Sequence, residues 1–134
     1  MDAIEFVKTI YLGDRACKRV LIDAWNRRFC VQVDCISKLR PGTDRWDYYN
    51  DENVYDGWLV FSELKSMSIT PEGMIPNDQI YGFTASKKED GYLFEMIIAS
   101  GVGDGSIVEV ALNLEAGQLT IESNSEFLKY LAAS

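Results

Sequence analysis

The sequence contains no histidine among its 134 residues. Histidine is the usual general base near neutral pH and a frequent metal ligand, so its absence removes the Ser-His-Asp and Cys-His catalytic arrangements. Carboxylate or lysine chemistry remains as an enzymatic alternative, and we rank it last among the functions considered. We therefore expect no catalytic residue, no cofactor and no bound metal.

Cysteine is scarce. The three cysteines, Cys17, Cys30 and Cys35, are odd in number and form no Cys-x-x-Cys pair. A disulfide framework needs paired cysteines, and a zinc site usually needs four ligands at close spacing. The pattern predicts three reduced thiols that pack as small hydrophobic side chains.

Long apolar runs are missing as well. No stretch approaches the roughly 20 apolar residues of a membrane-spanning helix. Residues 1–14 lack the basic and apolar regions of a signal peptide. These absences predict a cytoplasmic protein that does not engage a membrane.

Basic side chains are fewer than acidic ones, so the net charge is −8. Residues 14–45 hold eight basic and four acidic side chains, so this part carries +4 and the rest of the chain carries −12. The overall acidity argues against nucleic-acid binding, which normally needs a basic surface to neutralise phosphates. The asymmetry would allow copies to pair head to tail, so we expect a monomer or a weak, salt-sensitive dimer.

What the sequence does contain is alternation with a period of two. Apolar residues make up 47% of a chain that has the length of one domain, so we expect a single globular domain over residues 1–134. Residues 17–36 contain two alternating runs around a short polar break, which predicts an antiparallel hairpin. Residues 79–100 contain two more around Asp90 and Gly91, a pair that favours a type I′ turn.

Later segments extend the β pattern. Residues 106–114 and 119–123 are typical of two more strands, between which Gly117 could supply a left-handed residue. The alternation slips near residues 64–67, where a bulge would turn a long strand.

The two ends of the chain depart from this period. Ser123 and Glu126 have capping-box spacing, and Phe127 and Leu131 are i,i+4 neighbours, which predicts a short C-terminal helix over one end of the sheet. Residues 4–12 fit either a first strand or a short helix. The sum is a mainly β fold, an antiparallel barrel-like or two-layer domain of seven or eight strands with one terminal helix.

The densest group of aromatic and acidic side chains is the segment of residues 45–58, RWDYYNDENVYDGW. An EF-hand calcium loop needs oxygen ligands at alternating positions and glycine at the sixth, and counting from Asp47 or from Asp51 fails this test. The segment is then either a solvated crossing between two strands or a surface that binds a basic partner protein. We expect Trp58 to be buried, because it begins an alternating strand. The interaction candidates are Trp46, Asp47, Tyr48, Tyr49, Asp51, Glu52 and Tyr55.

A second short motif, YLGDR, places Gly13 and Asp14 at a turn. Asp14 could bind Arg15 or a backbone amide there, which is more often a structural than a catalytic arrangement. Together with Asp90 and Gly91, these residues are the structural-turn candidates.

Three motifs resemble those of a family of short, uncharacterised bacterial proteins. They are Tyr-Leu-Gly-Asp-Arg at residues 11–15, Ile-Ser-x-x-Arg at residues 36–40, and Trp-Asp-x-Tyr followed by Asp-Gly-x-Leu-Val-Phe within residues 46–61. The resemblance covers the amino-terminal two-thirds of the chain. It implies a bacterial origin and a small standalone domain, and it carries no known activity.

Three functions are compatible with these observations. The first is a non-enzymatic protein-interaction module, and immunity proteins that bind toxins are one class of similar size and acidity. The second is a barrel that binds a small apolar ligand and is lined by Trp58, Phe94 and Met96. The third is a carboxylate-dependent enzyme.

Overall fold

The computed structural model describes residues 2–38 and 53–133. Within these ranges the chain forms two helices and eleven strands. In chain order they are α1 (Ala3–Lys8), β1 (Ile10–Tyr11), β2 (Arg15–Asp23), β3 (Arg28–Val33), β4 (Cys35–Lys38), β5 (Val54–Tyr55), β6 (Trp58–Ser62), β7 (Ser66–Thr70), β8 (Asp78–Lys88), β9 (Gly91–Gly101), β10 (Ile107–Ala116), β11 (Gln118–Glu122) and α2 (Asn124–Ala133).

Two antiparallel sheets make up the described fold. The larger has the strand order β11-β6-β3-β2-β8-β9-β10-β7, and the smaller has the order β1-β4-β5. The prediction of a mainly β, antiparallel domain with a short C-terminal helix is confirmed. The strand number is higher than the predicted seven or eight, because two long runs are interrupted and because Val54–Tyr55 forms an additional strand, β5. Asp34 separates β3 from β4, and Glu63, with a φ of +53°, ends β6 before β7 begins.

The two ends of the large sheet meet at one corner. β6 leads into β7 and β10 leads into β11, while β6 pairs with β11 and β7 pairs with β10. The amide of Gly117 donates to the carbonyl of Ser62 at 3.0 Å, and the amide of Lys65 donates to the carbonyl of Glu115 at 2.7 Å. The sheet is therefore barrel-like without being a closed barrel.

This corner corrects one sequence interpretation and supports another. The change of direction predicted near residues 64–67 occurs at Glu63, which has the positive φ. Gly117 does not have a positive φ, so its predicted left-handed role is wrong. A Cβ at Gly117 would overlap the carboxylate of Glu63 and lie 3.0 Å from its Cβ, so the two chain segments approach closely here and a larger residue would require the Glu63 side chain to move.

The hairpin between β8 and β9 is confirmed, but its turn differs from the predicted type. Lys88 pairs with Gly91, so Glu89 and Asp90 are the two loop residues. A type I′ turn needs positive φ at both loop residues, and neither has it; Gly91 follows with a φ of +131°. The Asp-Gly pair therefore marked the hairpin correctly and its central residues wrongly.

One apolar core fills the inside of the large sheet. Inward residues alternate with outward ones along β9 and β10, as the period of two requires. Phe61 and Phe94 meet edge to face there, with ring centres 5.0 Å apart. Each buried side chain of this size contributes about 1.5–3 kcal/mol, so this core is the main source of stability. Its fully buried members include Phe29, Val31, Val33, Leu59, Phe61, Ile98 and Leu112.

Helix α2 covers the outer face of β3 and β6. The hydroxyl of Ser123 accepts a hydrogen bond from the amide of Glu126 at 3.2 Å, which confirms the predicted cap. The helix lies on a face of the sheet rather than over its end, because Phe127 packs on apolar side chains that point outward from these strands. This second apolar cluster consists of Cys30, Trp58, Val60 and Phe127.

The ambiguous amino-terminal segment forms a helix and then a two-residue strand. Asp2 caps α1 by accepting a hydrogen bond from the amide of Glu5 at 2.8 Å. β2 and β8 pair at only three positions, and α1 packs against β8 while its Val7 enters the main core. Neither of the helices in the described residues has the length and apolar character of a membrane span.

Candidate interaction surface

Most of the acidic aromatic segment, residues 45–58, lies outside the residues that the structure describes. This applies to the candidates Trp46, Asp47, Tyr48, Tyr49, Asp51 and Glu52. The described part comprises residues 53–58, which contain β5, a turn and the first residue of β6. Tyr55, Asp56 and Trp58 have three different environments in it.

Tyr55 is the exposed residue of this part, with 69% of its surface accessible. It lies on β5 opposite Cys35, and Val54 pairs with Ile36 beside it. Ile36 is fully buried, and Val54 packs against the main core. The strand that carries Tyr55 is therefore anchored, while its ring is accessible to a partner.

Asp56 joins the segment to neighbouring strands. Its carboxylate accepts a hydrogen bond from Nζ of Lys18 at 2.6 Å, and its carbonyl accepts one from Nε2 of Gln32 at 3.0 Å. Its amide donates to the carbonyl of Asp34 at 2.9 Å. Both ionic groups are partly exposed, so the ion pair contributes only about 0–1 kcal/mol. These contacts fix the backbone at the end of the segment.

Trp58 is the buried residue, with 4% of its surface accessible, which confirms the prediction. Its Nε1 donates a hydrogen bond to Oδ1 of Asn124 at 3.0 Å, and its ring stacks on Phe127. Asn124 is the first residue of α2. Trp58 therefore connects the segment to the terminal helix and is not available to a partner.

The YLGDR turn is confirmed, but its side chains pair differently from the prediction. Gly13 and Asp14 are the turn residues, and Asp14 has a φ of +59°. Oδ1 of Asp14 accepts a hydrogen bond from Nε2 of Gln79 at 3.3 Å. Nη2 of Arg15 donates to Oγ of Ser37 at 2.9 Å, so Arg15 is bound to β4 rather than to Asp14. The role is structural, because the contact ties β2 to the smaller sheet.

Two of the cysteines, Cys17 and Cys30, have thiols that stay protonated near neutral pH. All three are free and buried. Burial raises the pKa of the Cys17 thiol to about 12 and that of the Cys30 thiol to about 12. The thiolate is the reactive form, so these two side chains act as small apolar groups. Within residues 2–38 and 53–133, no three acidic or cysteine side chains come together as a metal site, and the absence of a bound metal stays a prediction.

Sequence reasoning missed the exposed apolar side chains outside the segment. Trp25, at the tip of the β2–β3 hairpin, is 93% exposed, Ile75 and Val102 are exposed in two other connections, and Ile107 is exposed at the start of β10. Alternation predicts which face of a strand is buried, but it does not assign a side chain that lies in a loop. The only indication in the sequence was that Ile75 and Val102 each stand next to a proline or a glycine, which is typical of a loop.

The comparison with known families adds one finding to this geometry. A model described as a family of unknown function (DUF6258) matches residues 1–129. The chain belongs to this family. The match includes every described strand and the first part of α2, so the resemblance to uncharacterised proteins is confirmed. No curated protein and no solved structure matches the sequence.

Proposed function

We propose that the protein is a non-enzymatic, cytosolic interaction module that binds a basic partner protein through residues 45–56. The observation that carries this proposal is the exposed ring of Tyr55 on an anchored strand. An aromatic side chain that is already held in place loses little conformational entropy when it is buried by a partner.

The described strands and side chains that flank the segment support the same function. β4, which ends at Lys38, pairs with β5, which begins at Val54, so the described chain on either side of residues 39–52 is held on neighbouring strands. Asp56 and Trp58 fix the returning end by the contacts with Lys18 and Phe127. A chain that is held at both ends has less conformational entropy to lose on binding than a free tail has.

The composition of the segment sets the chemistry of the partner. Its carboxylates favour a basic partner, since complementary charge speeds association and excludes acidic competitors. An immunity-type function, in which a small acidic protein binds a basic toxin, is one form of this proposal. The free, buried cysteines are in keeping with a reducing compartment.

The small-ligand alternative has less support from the described residues. Phe94 and Met96 belong to the main core, whereas Trp58 belongs to the cluster under α2. The three side chains proposed to line one cavity therefore lie on opposite faces of the sheet. Each is almost fully buried by its protein neighbours.

A pull-down from the host, followed by mass spectrometry, tests the proposal with matched variants. The double variant Tyr48→Ser/Tyr49→Ser and the single variant Tyr55→Ser should keep the free energy of unfolding within about 1 kcal/mol and lose the partner that the native protein captures. Trp25→Ser, an exposed aromatic in another hairpin, is the control and should still capture it. Capture at full strength by the tyrosine variants, or a large loss of their stability, would contradict the assignment of this surface.

A further inference from the structure

A second exposed surface lies away from residues 45–56, between the β7–β8 and β9–β10 connections. Ile75 is 73% exposed and Val102 is 40% exposed, and both line one open groove of about 370 Å³. Ile107, which is 72% exposed, pairs with Gly101, the residue before Val102. We refer to Ile75 and Val102, together with Ile107 beside the groove lining, as the apolar groove.

The two walls of the apolar groove are held to each other by a polar clamp. Nδ2 of Asn77 donates to the carbonyl of Gly101 at 3.0 Å, and the amide of Gly101 donates to Oδ1 of Asn77 at 2.9 Å. The amide of Asn77 also donates to Oγ of Ser100 at 3.1 Å, and Ser100 is fully buried. The side-chain amide thus continues the strand pairing beyond the sheet, and the groove is preformed.

The two chain segments that contain the groove residues carry charge of one sign, although the carboxylate of Asp104 accepts from Ser106 and that of Glu109 accepts from the hydroxyl of Tyr81. Residues 71–78 and 101–109 contain four acidic side chains and no lysine or arginine. The acidic residues are Glu72, Asp78, Asp104 and Glu109. The adjoining strand β2, whose Cys17 thiol contacts the carbonyl of Pro76, carries three basic residues that have other partners, and the first of them, Arg15, donates to Oγ of Ser37. Lys18 binds Asp56, and Arg19 donates to Oε1 of Gln32 at 2.6 Å.

We propose that the apolar groove binds a cationic, amphipathic peptide segment of a partner protein. The apolar side chains of the peptide would cover Ile75, Val102 and Ile107. Its lysines or arginines would face the acidic side chains of residues 71–78 and 101–109. A preformed apolar surface supplies the affinity, and the acidic side chains of these two segments disfavour acidic peptides by charge repulsion. This inference does not depend on the function proposed for residues 45–56.

Three synthetic peptides of equal length test the inference by titration calorimetry. One alternates lysine with leucine on an amphipathic pattern, one replaces each leucine by serine, and one replaces each lysine by glutamate. The lysine–leucine peptide should bind the native protein, and each of the other two should bind at least about tenfold more weakly. The variants Ile75→Ser and Ile107→Ser should weaken binding of the lysine–leucine peptide by about tenfold, because each removes an exposed apolar side chain that the bound peptide would cover.

Two further variants distinguish the contribution of charge at the groove from nonspecific binding to exposed apolar side chains. Glu72→Gln should reduce both the affinity and its dependence on salt, whereas Leu128→Ser, an exposed apolar residue on α2, should change neither. Equal binding of the lysine–serine peptide, or unchanged affinity in Ile75→Ser and Ile107→Ser, would overturn the proposal. Self-association of the native protein that Ile75→Ser abolishes would identify a second copy as the occupant and would also overturn it.

Discussion

The indole of Trp58 stacks on the ring of Phe127, with the ring centres 4.0 Å apart and the planes 21° apart. This contact joins the end of the acidic aromatic segment to the terminal helix. It also explains why β6 is buried on both faces, since Leu59 and Phe61 point to the main core while Trp58 and Val60 point to α2.

Phe127→Ala should lower the free energy of unfolding by about 3–5 kcal/mol, because it leaves a cavity beside Trp58. Chemical denaturation followed by tryptophan fluorescence measures this change. Leu128→Ala is the matched control on the same helix, and it should stay within about 0.5 kcal/mol because Leu128 is half exposed. Equal effects of the two substitutions would mean that α2 does not dock through Phe127.

Tyr130→Phe should reduce the dependence of stability on pH in the acid range. The hydrogen bond from the Tyr130 hydroxyl holds the pKa of the Asp23 carboxyl below its ordinary value. A lowered pKa in the folded state adds stability above the ordinary pKa of about 4, and this stability is lost as the pH falls through the folded value. Tyr130→Phe keeps the ring, which lies under the Arg28 guanidinium at 4.5 Å, and removes the hydroxyl.

Melting temperatures across the acid range measure this effect. The native protein should lose more stability than Tyr130→Phe as the pH falls below about 4. Asp23→Asn should likewise reduce the fall of the melting temperature with decreasing pH. Adding Tyr130→Phe to Asp23→Asn should not change this pH dependence further. If the melting temperatures of the native protein and Tyr130→Phe fell by the same amount as the pH is lowered, the coupling between the Tyr130 hydroxyl and the Asp23 carboxyl would be refuted.

Gly91→Ala should destabilise the protein more than Gly103→Ala does. Both glycines have positive φ, at +131° and +92°, so alanine is strained at each. A Cβ at Gly91 would also meet the carbonyl oxygen of Ala116 at 2.8 Å, whereas a Cβ at Gly103 would meet nothing within 4 Å. Urea denaturation of the two variants should therefore rank Gly91→Ala as the less stable, and the reverse order would contradict the close packing of β9 against the end of β10.

Light scattering at low and high salt tests the predicted weak dimer. The basic character of residues 14–45 and the acidity of the rest of the chain would attract copies head to tail. Any dimer should dissociate as salt rises, because exposed charges are screened beyond roughly 10 Å at 0.1 M ionic strength. A monomer at both salt concentrations would exclude the dimer and leave the monomer, the other predicted state.

Local patterns in the sequence were enough for much of the fold. The period of two predicted the antiparallel strands and the burial of Trp58, and the spacing of Ser123 and Glu126 predicted the helix start, since each depends on residues a few positions apart. The turn at Gly13 and Asp14 was found for the same reason. At the candidate site, only Tyr55 among the predicted interaction residues could be compared with the structure, and it is exposed.

The tertiary structure decided the features that join distant parts of the chain. Arg15 binds Ser37 instead of its neighbour Asp14, and Trp58 packs on Phe127, because burial and hydrogen bonding select partners by position in space. The corner where Gly117 accommodates Glu63 and the groove between Ile75 and Val102 likewise depend on segments that only the folded sheet brings together. The sequence by itself determined most of the runs that form strands, and it determined the sign of the charge. The pairing of those strands determined which loops meet, since hydrophobic burial has no preferred direction and is satisfied only by the complete arrangement.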